Sequence, residues 1–86
     1  MKVLAGIVLF KPDIDRLRDN IDAISDQVDE VVLVDNGSDN LDQVKEEFGD
    51  RVSFIENGAN LGIAAALNRM MDYGLENGFQ WVVTLD

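Results

Sequence analysis

The stretch VVLVDNGSD, residues 31–39, decides the fold, because a short apolar run stops abruptly at turn-forming residues. Four aliphatic residues in a row, without a polar residue between them, indicate a strand that is buried on both faces. Asp35-Asn36-Gly37-Ser38 follows as a turn, since glycine accepts a positive φ and the other three side chains hydrogen-bond nearby backbone. A buried strand that ends in a polar turn is typical of α/β domains.

Outward from this stretch, apolar strands and amphipathic helices alternate along the chain. Short, mainly apolar runs predict strands at residues 3–10, 31–34, 52–55 and 81–85. Apolar residues spaced three and four apart predict helices at residues 14–28, 41–48 and 61–73. Short connections between such elements imply right-handed crossovers and parallel strands. We therefore predict a Rossmann-like α/β fold: a parallel sheet of four strands with three helices in β-α-β-α-β-α-β order, covered on both faces.

Residues near the predicted helix ends are typical start and stop signals. Proline, aspartate and asparagine favour a helix start, and glycine favours a helix end. The expected starts are Pro12-Asp13, Asn40 and Asn60, and the expected ends are Gly49-Asp50 for the second helix and Gly74 with Gly78 for the third.

Composition excludes several classes of function. The 86 residues suffice for one small domain, and the absence of cysteine and histidine excludes disulfides, thiol nucleophiles and imidazole catalysis. A formal net charge of -10 makes DNA, RNA and anionic lipid poor partners, so no nucleic acid is expected. No apolar run reaches the roughly 20 residues that span a bilayer. We expect a cytoplasmic protein without a signal peptide.

Polar groups follow the predicted strands at the edge of the sheet where ligands bind in such folds. The turn after Phe10, the turn at residues 35–39 and the loop at residues 56–61 are expected to meet there. Asp35 and Asn36 could offer a carboxylate and an amide to a base or a ribose hydroxyl. Alternatively they only form the turn and cap the next helix, and the motif taken alone favours that interpretation.

The loop ENGANLG, residues 56–62, precedes an alanine-rich helix whose amino end could attract phosphate. Gly62 would allow a ligand or another backbone to approach closely. The alternative is that Asn60 is an ordinary cap and that Arg69 is a solvated surface residue. The last strand ends on Asp86, but one carboxylate does not make a metal site.

Taken together and in this order, four segments resemble the family 2 glycosyltransferases, and especially their bacterial rhamnosyltransferase branch. The segments are AGIVLFKPD (5–13), VDNGSDN (34–40), ENGANLGIAAALN (56–68) and GFQWVVTLD (78–86). The resemblance implies the GT-A fold, whose first half binds the nucleotide of a sugar donor and whose second half supplies the acceptor site and general base. Residues 1–86 would then be the amino-terminal portion of that domain, truncated after the fourth strand.

The resemblance also implies roles for particular positions. Asp35 and Asn36 would recognise the base. The full set expected to line the nucleotide is Phe10, Pro12, Asp35, Asn36, Ser38, Asp39, Asn60, Gly62 and Asn68. Asp86 matches the first carboxylate of the family's DxD motif, whose last carboxylate binds Mg²⁺ or Mn²⁺. No residue of this chain matches the catalytic base.

The expected activity of the parent protein is sugar transfer with inversion. The donor would be a nucleotide-diphosphate sugar, such as thymidine-diphosphate rhamnose, and the saccharide acceptor a surface polysaccharide at the inner face of the membrane. The fragment alone is expected to be inactive, because the base and the rest of the DxD motif are missing.

Two alternatives come from other classes of protein. A receiver-like signalling module would need an acid pair after the first strand and a phosphorylatable aspartate after the third. The chain offers Lys11-Pro12-Asp13 and Glu56 at those places. An interaction module would instead use the fourth strand for self-association, because that strand lacks a covering element in the sequence.

Overall fold

The computed structural model describes residues 1–85, in which four strands and three α-helices alternate. The predicted β-α-β-α-β-α-β order is confirmed. The elements are β1 (Val3–Leu9), α1 (Ile14–Ile24), β2 (Glu30–Asp35), α2 (Leu41–Phe48), β3 (Ser53–Glu56), α3 (Ile63–Glu76) and β4 (Trp81–Leu85), with a 3₁₀ turn at Ser25–Gln27.

The four strands form one parallel sheet in the order β3-β2-β1-β4. The chain first builds outward from β1 to β2 and β3, and then returns to the other side of β1 for β4. In the register, Leu9 lies opposite Asp35, and Asp35 lies opposite Glu56. The carboxyl ends of β1, β2 and β3 therefore lie side by side. Ligands of open α/β sheets bind at this edge, near the place where the strand order reverses.

The core has two layers because successive residues of a strand point to opposite faces of the sheet. On one face, α1 and α2 pack Leu17, Ile21 and Phe48 against a cluster that includes Leu33 of β2. On the other face, α3 packs its apolar side chains against Leu4, Val32 and Val34. The predicted cover on both faces is confirmed, with α1 and α2 on one face and α3 on the other.

Two glycines let α3 pack closely on the sheet. A Cβ atom at Gly6 of β1 would lie 2.1 Å from Sδ of Met70, and one at Gly74 would lie 2.8 Å from a methyl group of Val82. Gly74 was predicted to end the third helix, but α3 continues through it to Glu76. Tertiary packing explains the difference, because a residue without a side chain at this position lets α3 lie close to β4. None of the helices within residues 1–85 combines the length and apolar character needed to cross a bilayer.

Two further helix boundaries differ from the predictions. The first helix ends at Ile24 and not at Val28, and Ser25 Oγ donates a hydrogen bond to the Ile21 carbonyl (2.5 Å) at the start of the 3₁₀ turn. The third helix begins at Ile63 with Gly62 as its cap. Asn60 does not cap it, because the Asn60 side chain instead accepts a hydrogen bond from the Gly62 amide (2.9 Å) in a local turn.

The starts of the first two helices differ in how they are capped. Asp13 caps α1 as predicted, and its carboxylate accepts a hydrogen bond from the Arg16 amide (3.1 Å). Asn40 precedes α2 but makes no side-chain cap. Its amide nitrogen donates to the Pro12 carbonyl (2.9 Å), so this side chain joins the turn after β1 to the turn after β2.

Candidate functional site

Backbone hydrogen bonds hold three segments together at the carboxyl edge of the sheet. The Asn36 amide donates to the Leu9 carbonyl (2.8 Å), and the Asn57 amide donates to the Asp35 carbonyl (2.9 Å). The Lys11 amide donates to Oγ of Ser38 (2.8 Å). The turn after β1, the turn after β2 and the loop after β3 are therefore in contact, as the sequence predicted.

Asp35 is the most buried polar residue of this edge, at 1% exposure. One carboxylate oxygen, Oδ2, accepts hydrogen bonds from the amides of Gly37 and Ser38, both at 3.0 Å. The other oxygen, Oδ1, is buried and has no hydrogen-bond partner among the described residues. A buried polar atom without a partner is unfavourable unless another molecule supplies one. Asp35 therefore presents an acceptor that a bound donor group would satisfy.

Asn36 is buried at 4% exposure, and both ends of its side-chain amide are in use. The nitrogen, Nδ2, donates to the Gly62 carbonyl (3.3 Å). The oxygen, Oδ1, accepts from Nδ2 of Asn57 (2.7 Å). Asn57 in turn accepts a hydrogen bond from the guanidinium of Arg69 on α3 (2.8 Å). Asn36 therefore ties the turn after β2 to the loop that follows β3.

The turn after β1 presents an aromatic side chain beside a small cleft. Phe10 is 50% exposed. The cleft has a volume of about 240 Å³, and its lining includes Phe10, Pro12 and the basic residue Arg16. The Lys11 ammonium lies 5.3 Å from the centre of the Phe10 ring. An exposed ring with the Lys11 ammonium beside it suits a ligand with one flat and one anionic part.

Lys11 is the one non-glycine residue within the described chain that has a positive φ, at 49°. Such a conformation is uncommon for a long side chain and persists only where neighbouring groups enforce it. Here the Ser38 hydroxyl holds the Lys11 amide, and the Asn40 side chain holds the Pro12 carbonyl. Ser38 thus shapes the edge of the site by fixing this turn, whereas Asp39 is exposed.

The amino end of α3 also faces this edge through Gly62. The helix has no side-chain cap and no acidic residue in its first turn. Helix amino ends have free amides and a partial positive charge, which an acidic first turn would offset. Gly62, at φ 86°, offers its carbonyl to Asn36. Asn60 and Gly62 are therefore part of the same edge as Asp35.

Asn68, by contrast, lies exposed on α3. Within residues 1–85, no hydrogen bond joins its side chain to the three segments. The two residues that sequence reasoning missed are Asn57 and Arg69. Arg69 was predicted to be a solvated surface residue, and it is exposed, but its guanidinium also bonds to Asn57. Asn57 gave no signal of its own, because an asparagine beside a glycine is already typical of a loop.

The predicted metal ligand, Asp86, lies outside the described residues. Within residues 1–85, no group of three or more acidic side chains is arranged to hold a metal ion.

Comparison with known families covers nearly all of the chain. A family model described as "Glycosyl transferase family 2" matches residues 7–86. The matched span includes the three segments at the carboxyl edge and every residue that was predicted to line it. No curated protein and no solved structure matches the chain significantly.

Proposed function

Because the chain belongs to glycosyl transferase family 2, we propose that its carboxyl edge binds the nucleotide of a nucleotide-diphosphate sugar donor. The base would lie at Asp35 and Asn36, next to the exposed ring of Phe10. The diphosphate would lie toward the amino end of α3 and the cations Lys11 and Arg16. Membership of the family supports a glycosyltransferase, and the residues at this edge are the basis for placing the nucleotide there.

The observation that most strongly supports this placement is the unpaired, buried Oδ1 of Asp35. The ring N3–H of thymine or uracil and the hydroxyls of ribose are hydrogen-bond donors, and an ionised carboxylate is an acceptor only. A donor from the base or sugar would satisfy the atom that the protein leaves without a partner. Hydrogen bonds to a charged acceptor are stronger than neutral ones, so this contact would contribute much of the affinity.

Different residues support the proposed position of the diphosphate. A diphosphate needs positive charge, and the chain as a whole has a formal net charge of -10. Lys11, Arg16 and the uncapped amino end of α3 supply local positive potential near the same edge. Binding should therefore weaken as salt screens these charges.

The finer assignment is transfer of rhamnose from a thymidine-diphosphate donor to a surface polysaccharide, with inversion, at the inner face of the membrane. The likeness of four segments, residues 5–13, 34–40, 56–68 and 78–86, to the bacterial rhamnosyltransferase branch supports it. In such a transfer the acceptor hydroxyl attacks the anomeric carbon, the bond to the nucleoside diphosphate breaks, and a carboxylate base takes the hydroxyl proton. We assign no such base among residues 1–85.

We propose one metal ligand in this chain, Asp86. A carboxylate at the end of a parallel strand is a suitable ligand for Mg²⁺ or Mn²⁺, which would stabilise charge on a diphosphate. Nucleotide titrations of the unmodified chain and of Asp86→Asn, each with and without Mn²⁺, test whether Asp86 binds the metal ion. If Asp86→Asn responds to Mn²⁺ as the unmodified chain does, Asp86 is not a ligand.

A second, independent part of the proposal is self-association through β4. This strand lies at an edge of the sheet, and Trp81 and Val83 are 58% and 40% exposed on it. Edge strands with exposed apolar side chains tend to pair with other chains. The partner would be a second copy of this chain.

Titration calorimetry with thymidine diphosphate, uridine diphosphate and adenosine diphosphate tests the nucleotide site. We expect the two pyrimidine nucleotides to bind and adenosine diphosphate to bind more weakly. Asp35→Asn puts an amide where the free oxygen lies, so it should weaken binding by about tenfold or more. The fold should persist, because the remaining oxygen of Asn can still accept from Gly37 and Ser38.

Asp26→Asn is the matched control, because Asp26 is exposed, lies in the 3₁₀ turn and undergoes the same change of charge. It should leave the affinity within about twofold of the original. Equal losses for Asp35→Asn and Asp26→Asn would show that only net charge matters. If none of the three nucleotides gives a heat of binding, the proposed function is wrong.

A further inference from the structure

A chain of three hydrogen bonds runs from the surface of α3 into the buried turn after β2. Nη1 of Arg69 donates to Oδ1 of Asn57 (2.8 Å). Nδ2 of Asn57 donates to Oδ1 of Asn36 (2.7 Å), and Nδ2 of Asn36 donates to the Gly62 carbonyl (3.3 Å). The first residue is exposed and Asn36 is buried, so the chain links solvent to the candidate site.

The two ends of this chain determine the direction of every bond within it. A guanidinium has donors only, and a backbone carbonyl is an acceptor only. Asn57 must therefore turn its oxygen toward Arg69, which directs its nitrogen toward Asn36. Asn36 must then receive that nitrogen with its own oxygen, which leaves its nitrogen for Gly62. Reversing both amides would set a donor against Arg69 and an acceptor against the Gly62 carbonyl.

We propose that Arg69 is a positioning residue for the nucleotide site, acting through Asn57 to fix the orientation of the Asn36 amide. The inference rests on the proposed function, because it assumes that the base lies at Asp35 and Asn36. Each amide nitrogen has two N–H groups and each amide oxygen has two lone pairs. One N–H and one lone pair of Asn36 thus remain for a ligand, and Arg69 acts together with the Gly62 carbonyl to determine which of them lies on which side.

The same bonds keep the loop at residues 57–62 against the turn after β2. Without the guanidinium, only the Gly62 carbonyl still opposes reversal of the two amides, so the reversed orientation costs less and is populated more. A base that requires one orientation would then bind only the fraction of molecules that present it. Affinity should therefore fall although nothing that touches the ligand has been removed. Since Arg69 is exposed, its bond should contribute little to the stability of the fold.

The test uses four variants of the whole chain. Arg69→Met removes the donor, Arg69→Gln keeps a group that can donate or accept, and Arg69→Lys keeps a head group that only donates. Arg51→Met is the control, because it removes the same charge from an exposed residue whose partner is Asp22 on α1. Two measurements are compared for each variant: affinity for thymidine diphosphate, and the side-chain amide signals of Asn36 and Asn57 in ¹⁵N–¹H spectra without nucleotide.

We expect Arg69→Met to weaken binding by about tenfold and Arg69→Lys to restore it to within about threefold. Arg69→Gln should lie between them, and Arg51→Met should change affinity by no more than about twofold. In Arg69→Met the side-chain amide signals of both asparagines should move, while the thermal midpoint stays close to that of the unmodified chain. Arg51→Met should leave those signals in place.

Three results would overturn the inference. They are unmoved Asn36 amide signals in Arg69→Met, equal losses of affinity in Arg69→Met and Arg51→Met, and a loss of affinity that only accompanies loss of folding. If the unmodified chain binds no nucleotide, the proposed function fails and the binding part of this inference fails with it. The amide signals would still decide separately whether Arg69 orients Asn36.

Discussion

Gly37 determines how closely the loop after β3 approaches the turn after β2. Its φ is 91°, and a Cβ atom there would lie 3.1 Å from backbone atoms of Ala59. Gly58 also has a positive φ, at 75°, but a Cβ atom there would have nothing within 4 Å. An alanine at Gly37 would therefore meet both backbone strain and a crowded neighbour, whereas an alanine at Gly58 would meet strain alone.

We expect Gly37→Ala to lower the free energy of unfolding by about 2 kcal/mol and Gly58→Ala by about 1 kcal/mol. Urea denaturation of both variants measures the difference. Gly37→Ala should also weaken nucleotide binding, because the loop and the turn belong to the proposed site. Equal destabilisation by the two substitutions would mean that the close approach at Ala59 is unimportant.

At the scale of single residues, the sequence predicted where the polar groups lie but not how they pair. Asp35 and Asn36 were expected at the end of a strand because an apolar run stops there, and they lie there, buried. The free oxygen of Asp35 and the bond from Arg69 to Asn57 depend on elements that are distant in the chain. Local patterns contain no information about such partners. The prediction that Asn60 caps α3 was wrong for a local reason, because its side chain accepts a hydrogen bond from the Gly62 amide, which precedes the helix.

At the scale of elements, hydrogen bonds among three side chains join α3 to the amino ends of β2 and β3. The Tyr73 hydroxyl donates to the Glu30 carboxylate, and Ser53 Oγ donates to the same oxygen (3.1 Å). Burial, together with the hydrogen bond to Glu30, raises the pKa of Tyr73 above its ordinary value of 10.0. The folded chain therefore holds the phenol proton more tightly than the unfolded chain does.

This shift predicts a loss of stability at alkaline pH. Because the folded pKa of Tyr73 exceeds the unfolded one, its contribution is fully present below about pH 10 and is lost as the pH rises through the folded pKa. We expect the free energy of unfolding to fall over that range, and to fall less in Tyr73→Phe. Denaturation at a series of pH values measures this difference. The chain has one tyrosine, so tyrosinate absorbance reports the titration directly.

All other ionisable groups are common to both proteins, so their contributions cancel in the comparison. An alkaline loss of the same size in Tyr73→Phe would contradict the role given to Tyr73. Below pH 9 the variant should be less stable by about 1 kcal/mol, because it lacks the hydrogen bond to Glu30.

The sequence predicted the elements well where an apolar pattern alone determines them. All four strands and all three helices lie close to their expected places, because each is marked in the sequence by an apolar run or by apolar residues at helical spacing. The errors are at the ends of helices, and one of them arises because another part of the molecule intervenes. Glycine usually ends a helix, but Gly74 is inside α3, where Val82 of β4 leaves no room for a side chain.

At the scale of the whole molecule, the outer strand β4 exposes apolar side chains that could contact another copy of the chain. β4 presents Trp81 and Val83, and the proposed self-association uses this edge. The net charge of -10 opposes contact between copies, so association should increase with salt and with protein concentration. Light scattering at low and high salt measures it.

Val83→Lys should keep the chain monomeric, because a charge on an edge strand discourages pairing. Leu75→Lys is the control, since Leu75 is exposed and apolar but lies on α3. A clean monomer at high concentration and high salt would count against this use of β4. So would equal effects of the two lysine substitutions.

The order of the strands, β3-β2-β1-β4, could not be predicted from the sequence, because it depends on which side of β1 the last strand joins. The family could be predicted, because four segments occur in a fixed order, and the family match over residues 7–86 confirms it. A receiver-like module finds no support in that match. Rhamnose as the sugar and Asp86 as a metal ligand stay predictions, since nothing in residues 1–85 bears on either.

A nuclear magnetic resonance titration of the ¹⁵N-labelled chain with thymidine diphosphate tests the nucleotide site most directly. We expect backbone amide signals to move at the carboxyl edge, at Lys11, Gly37, Ser38 and Gly62. Signals of β4 near Trp81, at the amino end of the sheet, should stay in place. Absence of movement at millimolar nucleotide, or movement confined to the region of Trp81, would contradict a nucleotide site at Asp35 and Asn36.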